Sequence, residues 1–341
     1  MKRFPAARDL TRLLLRASML AILPGAAPAQ PQAMQPLQPL EFLTAIRLPD
    51  VRGRIDHMDI DPDGERLFVA ALGNDSVEVI DLRAGKRSAR LERMAEPQGV
   101  VYAAAAKRLF VANGRSGRID VFAGSGLAGA GHVDGLDDAD NLRYDARSGR
   151  LYAGYGRAIA VIDAATAKRL RGIRLAGHPE SFQLESAGPR IFVNVPSAGQ
   201  IAVVDRNTGA VLATWALGDK QANFAMALDE AERRLIVATR RPAALLVYDI
   251  DDGRQVASIP IAGDVDDLFF DATRKRVYAI CGEGVVDIVQ QRDADHYVPT
   301  ARVATAPGAR TGLLAASADV LYVAVPARDA SVAEIRVYAV R

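Results

Sequence analysis

A short phrase returns through the chain at nearly constant intervals, and that regularity limits what the chain can become. The phrase is a basic residue followed by apolar and aromatic residues: Arg66-Leu-Phe-Val, Arg108-Leu-Phe-Val, Arg150-Leu-Tyr-Ala, Arg190-Ile-Phe-Val, Arg234-Leu-Ile-Val, Arg276-Val-Tyr-Ala and, with the Arg lost, Val320-Leu-Tyr-Val. Successive copies are 42, 42, 40, 44, 42 and 44 residues apart. A turn rich in Gly or Pro follows, then an alternating apolar strand that often ends in Asp. A period of about 40–50 residues carrying several short strands reads as propeller blades. One four-stranded sheet cannot bury both of its apolar faces alone, whereas stacking neighbours around an axis covers both. Seven copies therefore predict an all-β chain, a seven-bladed β-propeller of four-stranded antiparallel blades over residues 40–341.

In the first unit the strands are expected at 58–61, 67–71, 77–81 and 88–91. The seventh unit stops after its third strand, at 335–341. The N-terminal run 40–48 is expected to supply the missing outer strand, closing the ring and removing an exposed sheet edge.

Residues 1–29 begin with Lys2, Arg3, Arg8, Arg12 and Arg16, continue through a short apolar run at 17–23 and reach Ala27-Pro28-Ala29. A basic stretch, an apolar stretch and an A-x-A site read as a secretory signal peptide, which places the mature chain in the periplasm or outside the cell. The apolar run is too short to span a bilayer, so no transmembrane segment is expected in the mature chain. Residues 30–39, rich in Gln and Pro, are expected to be a flexible lead-in. Five of the 43 Lys and Arg and one of the 41 Asp and Glu fall in the leader, so the mature chain carries a formal charge of −2.

A nearly neutral domain without a basic run gives no electrostatic footprint for nucleic acid. Cys281 is the single cysteine, so no disulfide forms within the chain, and its place in an apolar strand marks it as a small buried residue. Neither a C-x-x-C-H haem site, nor zinc-spaced Cys and His, nor a G-x-x-x-x-G-K phosphate loop, nor a G-x-S-x-G elbow occurs. Haem and nucleotide are thus not expected, and any chemistry must be assembled by the ring from different blades.

Such assembly is visible nine to twelve residues ahead of each repeat phrase, where the turn into the inner strand meets the channel mouth. The positions are Asp56 and His57; Gln98; Asp140 and Asn141; His178, Glu180 and Ser181; Asn223; Asp266 and Asp267; Arg310 and Thr311. Polar groups there hold blades together by bonding backbone or water in many propellers. The functional reading is that Glu180, Asn223 and Asp267, with Asp140 or Asn141, offer hard oxygen ligands to Ca²⁺ or Mg²⁺. His57 or His178 would then serve as catalytic base toward a metal-bound water or a substrate. Arg115, Arg240, Arg241 and Arg328 from the next turns, with Arg54 and Arg310, would suit a small anionic ligand. On the opposite rim, 290–297 is a polar insertion whose Asp293, Asp295 and His296 offer either an exposed hairpin, a docking loop or a second metal site.

The units resemble the YVTN β-propeller repeat family, the YncE-like periplasmic proteins. The resemblance rests on Phe68-Val-Ala-Ala, Phe110-Val-Ala-Asn, Phe192-Val-Asn-Val and Tyr322-Val-Ala-Val, with Ser76-Val-Glu-Val-Ile-Asp, Ala158-Ile-Ala-Val-Ile-Asp and Gln200-Ile-Ala-Val-Val-Asp as following strands. It covers about 53–341; the family's Tyr is often Phe or Ile here, and its terminal Asn stands only at Asn113. Membership would imply an exported propeller, within a superfamily that mixes binding proteins, redox-enzyme subunits and lactonases. Two functions stay open. The leading one is a non-catalytic exported propeller that binds a small anionic molecule or a periplasmic protein partner at its polar rim, through Asp56, Gln98, Asp140, Asn141, Asp266, Arg310, Arg115 and Arg240. The alternative is a lactonase-like hydrolase similar to the gluconolactonase-type propellers, whose Glu, Asn and Asp metal ligands Glu180, Asn223 and Asp267 match in residue type.

Overall fold

Each repeat phrase opens a strand, and in four copies the Arg that begins it faces an Asp across the hairpin. In the computed structural model, which describes residues 38–61 and 65–341, Arg66, Arg150, Arg190 and Arg234 stand in register with Asp81, Asp163, Asp205 and Asp249 on the neighbouring strand. Arg150 and Arg234 bond that partner, at 3.3 and 2.9 Å, and Arg66 turns to Asp61 at 2.9 Å. The guanidinium groups of Arg66 and Arg190 lie 5.4 and 5.1 Å from the ring centroids of Phe68 and Phe192. The Arg-x-aromatic spacing thus lets one side chain pair at the hairpin base and cover a buried ring.

Seven four-stranded antiparallel sheets result. In the first blade the strands are Met58–Ile60, Arg66–Ala71, Ser76–Asp81 and Lys86–Leu91, running from the channel outward. They begin within two residues of where the alternation places them. Blades two to six occupy 97–133, 142–174, 182–216, 221–260 and 265–304. In the seventh, Leu40–Leu48 pairs antiparallel with Ala333–Val340 as the outermost strand, so the ring closes as expected.

The core lies between sheets rather than within them. Phe68, Val77 and Val79 of the first blade pack on Val100, Leu109 and Val111 of the second. Phe192 and Val203 of the fourth pack on Leu235, Val237 and Leu246 of the fifth. Each such side chain contributes about 1.5–3 kcal/mol when fully buried, so every blade depends on both neighbours.

Cys281 ends the strand Arg276–Cys281 and is fully buried, and burial pushes its thiol up to about 12, the state of an inert packing residue. The polar insertion folds back on the fifth blade: Asp295 pairs with Arg234 at 2.7 Å, and the His296 ring stands 2.8 Å from Asp293. Among the described residues no helix is long and apolar enough to cross a membrane. The leader at 1–29 and most of the lead-in at 30–39 lie outside the described residues.

Candidate functional site in the central channel

The residues ahead of each inner strand reach the channel through one recurring backbone device. Asp56 N–H donates to the Ala70 carbonyl at 2.7 Å while Ala70 N–H donates to the His57 carbonyl at 3.0 Å. Asp140 and Asn141 stand in the same way opposite Gly154, and Glu180 and Ser181 opposite Asn194. The ladder slips at the same place in blades two, five and six. Two residues facing one is the arrangement of a β-bulge, which re-aims side chains and breaks the strict alternation. Consecutive polar residues can therefore both serve the channel. Gly53 and Gly73 make room for the first of these turns: Gly53 has φ +72°, and a Cβ on Gly73 would lie 2.6 Å from the Arg54 nitrogen.

The device builds a cavity of about 130 Å³ at the channel mouth. One side is a web of ion pairs. His57 Nδ1 lies 3.3 Å from Asp267 and its Nε2 3.9 Å from Asp56. Burial alone would lower the pKa of His57, but Asp267 and Asp56 outweigh it and hold the imidazole up at about 10. Arg54 bonds Asp56 at 3.1 Å and Asp266 at 3.3 Å. Arg240 bonds Asp266 at 2.6 Å and lies 4.0 Å from the Phe224 ring centroid. Arg310 bonds Asp264 at 2.9 Å. Burial raises both Asp56 and Asp266 above the ordinary carboxylate range, against the pull of these cations.

The other side collects Asp140, His178 and Glu180, each offering one ligand atom, all within 4.8 Å of one another. His178 Nδ1 lies 3.1 Å from the Gly156 carbonyl and 3.6 Å from Asp138. A proton on Nδ1 satisfies that carbonyl and leaves Nε2, 3.9 Å from Asp140, turned to the carboxylates. Burial lifts the pKa of Glu180, and the Asp140 charge lifts it further. Burial works against the charge on His178, yet Asp140, Glu180 and Asp138 together raise its pKa.

The residues singled out from the sequence thus fall into distinct settings. Gln98 and Asn141 line the cavity, Gln98 Nε2 standing 3.4 Å from Asp138. Glu180, Asn223 and Asp267 do not form one ligand set. Asn223 is fully buried and donates to Asn194 Oδ1 at 2.9 Å and the Gln200 carbonyl at 3.1 Å, joining blades four and five. Asp267 is engaged by His57 and by the Gly312 N–H at 2.8 Å. Arg115 bonds Asp75 and Glu96 on the exposed rim and does not line the cavity. Thr311 Oγ1 donates to the Ile55 carbonyl at 3.2 Å, tying blade seven to blade one. Sequence reasoning missed Asp138, Asp264 and Phe224, which come from the turns and bulges beside the counted positions.

His57 and Ser181 also line a second, larger cavity of about 470 Å³. Its walls include Val101, Tyr102, Tyr144, Leu268, Phe269 and Leu313, and it holds Arg143 and Asp59. Asp59 accepts the Tyr102 N–H at 2.6 Å, and burial pushes its carboxyl up to about 6.

No known family profile matches the chain, and no curated protein sequence matches it. Among solved structures it is similar to Kuenenia stuttgartiensis hydrazine synthase, at 17% identity over 82% of this chain and 94% of that chain, with a TM-score of 0.72. It is also similar to the WD40 repeats of RRP9, at 12% identity over 87% and 97% with a TM-score of 0.76. A third neighbour is U3-55K, at 12% identity over 87% and 98% with a TM-score of 0.75. At these identities the likeness shows the β-propeller fold alone.

Proposed function

We propose that this chain is an exported, non-catalytic binding propeller of YVTN type whose channel mouth holds a divalent cation between Asp140, His178 and Glu180. The observation that carries the reading is the approach of these three ligand atoms to within 4.8 Å of one another. The Asp140 charge raises the proton affinity of Glu180 at this spacing, a repulsion that a cation would relieve. His178 supports the same reading, because a metal-binding imidazole commonly donates its other N–H to a carbonyl, here that of Gly156. One imidazole with two carboxylates suits Zn²⁺ or Mn²⁺ better than Ca²⁺ or Mg²⁺, which prefer oxygen alone.

A small anion at the rim is less well served. Arg54, Arg240 and Arg310 are each bonded to Asp266 or its neighbours, so no guanidinium of that group is left for an incoming carboxylate or phosphate. Catalysis by His57 would need a neutral imidazole, and a group held at about 10 between two carboxylates is protonated at neutral pH. Export rests on the leader at 1–29, and membership of the YVTN family on the repeat phrases; the N-terminal sequence of protein recovered from the periplasm or medium tests the first.

The cation reading is tested on mature protein stripped with chelator and dialysed against Zn²⁺, Mn²⁺, Ca²⁺ and Mg²⁺. About one equivalent of Zn²⁺ or Mn²⁺ per chain is expected, with a stabilisation that grows with metal concentration. Both are expected to vanish in Glu180→Gln and His178→Ala and to persist in Arg115→Ala. Failure of every metal to bind, or equal binding by the variants, overturns the reading.

A further inference from the structure

Arg143 is the odd guanidinium of the channel. Arg54, Arg240 and Arg310 each meet a carboxylate, whereas Arg143 forms no ion pair among the described residues. It comes from the inner strand Leu142–Asp145 of the third blade and lines the 470 Å³ chamber. Its Nη1 donates to the Leu142 carbonyl at 2.8 Å and reaches Asn141 Oδ1 at 3.4 Å, and its Nη2 reaches Ser181 Oγ at 3.3 Å. Its Nε–H makes no hydrogen bond among the described residues, and the Phe182 ring lies 5.5 Å from the guanidinium carbon. Burial works against the charge of Arg143, and Asp267, Asp140 and Asp59 offset it only in part from beyond ion-pair distance.

The carboxylates that share the chamber are otherwise occupied. Asp267 answers His57 and the Gly312 N–H, and Asp59 answers the Tyr102 N–H. Apart from His57, Ser181 and Gln183 the remaining side chains of the wall are mainly apolar and aromatic, and the volume falls within the roughly 300–1,000 Å³ typical of small-molecule clefts. A dianion such as phosphate would need several donors and would face Asp59 and Asp267. A single carboxylate needs one guanidinium, which can receive it through two parallel N–H bonds.

We propose that this chamber binds a small organic monocarboxylate, its head on Arg143 beside the Ser181 hydroxyl and its apolar body against Val101, Tyr102, Tyr144, Leu268 and Leu313. The site shares none of the three cation ligands, so it stands or falls apart from the cation reading.

The experiment is isothermal titration of chelator-treated mature protein with 3-phenylpropionate, its primary amide, acetate and inorganic phosphate. The expected result is saturable binding of 3-phenylpropionate, at least about tenfold tighter than the amide, as the loss of a charge-assisted bond implies. Acetate, lacking the apolar body, is expected to bind at least about tenfold more weakly. Arg143→Gln should lose at least about tenfold in affinity for the acid, and Arg143→Lys should recover part of it. Absence of binding by 3-phenylpropionate, equal binding of acid and amide, preference for phosphate, or undiminished binding by Arg143→Gln each overturns the proposal. Should Arg143→Gln fail to fold, the acid and amide compared on the wild-type protein still decide it.

Discussion

His57 of the first blade and Asp267 of the sixth meet across the mouth of the channel, imidazole Nδ1 to carboxylate at 3.3 Å, with the seventh blade between their sheets. Arg54, three residues before His57, and Asp266, next to Asp267, repeat the link at 3.3 Å. These are ties between blades that share no sheet, placed where the ring is joined by its two termini. His57, which the sequence offers as a catalytic base, and Asp267, which it offers as a metal ligand, therefore form a clasp over the closure.

The clasp makes stability depend on pH through His57. Its folded pKa of about 10 lies above the unfolded value of about 6.5, so its contribution is complete below about 6.5 and is lost as pH rises through 10. Asp56 and Asp266 act in the same sense, since burial raises them and their ionisation opposes folding as pH rises, Asp56 over a lower range that ends near 7, so a His57→Gln variant is needed to isolate the imidazole. The gap in melting temperature between wild type and His57→Gln is expected to narrow steadily from pH 7 to pH 10. NMR of the His57 ring should show a midpoint near 10, falling in Asp267→Asn. A gap that is constant over this range would mean that the imidazole is neutral in the folded protein.

Glu180 should show the reverse of a structural residue. Burial and the Asp140 charge hold its pKa up, so its ionisation works against folding above the ordinary glutamate range. Glu180→Gln mimics the neutral form and is expected to leave metal-free protein as stable as wild type near pH 4, below the ordinary glutamate range, and more stable at pH 9, by up to a few °C, while losing metal binding. Thermal melts at both pH values check this. A marked loss of stability in Glu180→Gln would instead make Glu180 a blade-to-blade tie.

The propeller is legible because its cause is repetitive: the phrase that opens the second strand of each blade, whose Arg pairs at the hairpin base in several copies as Arg150 does with Asp163, returns every 40 to 44 residues. Counting back from it also found His57, Asp140, His178 and Glu180, since the bulge holding them recurs in register. What counting could not show is which blades face each other across the channel. Asn223 and Glu180 occupy comparable places in their repeats, yet the Asn223 side chain turns into the wall toward Asn194, whereas Glu180 gathers with Asp140 and His178. Arg143 escaped notice for a different reason: it lies inside an inner strand, beyond the counted turn, where alternation alone does not say that a guanidinium is left without a carboxylate.

Glu78 offers a test of the wall away from the channel. It is fully buried in the strand Ser76–Asp81, accepting the Ser76 hydroxyl at 2.6 Å, Arg87 at 2.9 Å and Arg90 at 2.8 Å. Removing it leaves two guanidinium groups sharing Asp50, which is half exposed. Glu78→Ala is expected to cost about 3–5 kcal/mol, as breaking a buried ion pair does. Asp50→Ala should cost less than about 1 kcal/mol, the scale of an exposed pair. Urea unfolding of both variants measures the difference; equal costs would show that Glu78 is not the centre of the network.

The outer strand Leu40–Leu48 should matter more than any channel residue. It pairs along the whole of Ala333–Val340 and buries Leu40, Ile46 and Leu48, each at most 4% exposed. At about 1.5–3 kcal/mol each, these three side chains contribute about 5–9 kcal/mol as an upper figure, against total stabilities of about 5–15 kcal/mol for whole domains. Their loss also bares the edge of Ala333–Val340, which can then pair with another chain. A protein starting at residue 51 is expected to lose its cooperative melt or to self-associate. A peptide of residues 38–50 added in trans should restore the melt in proportion to its concentration, because it binds only the folded ring. Were the truncated chain to melt as a monomer at the temperature of the mature protein, the seventh blade would be stable with three strands, and the ring would owe nothing to its N-terminus.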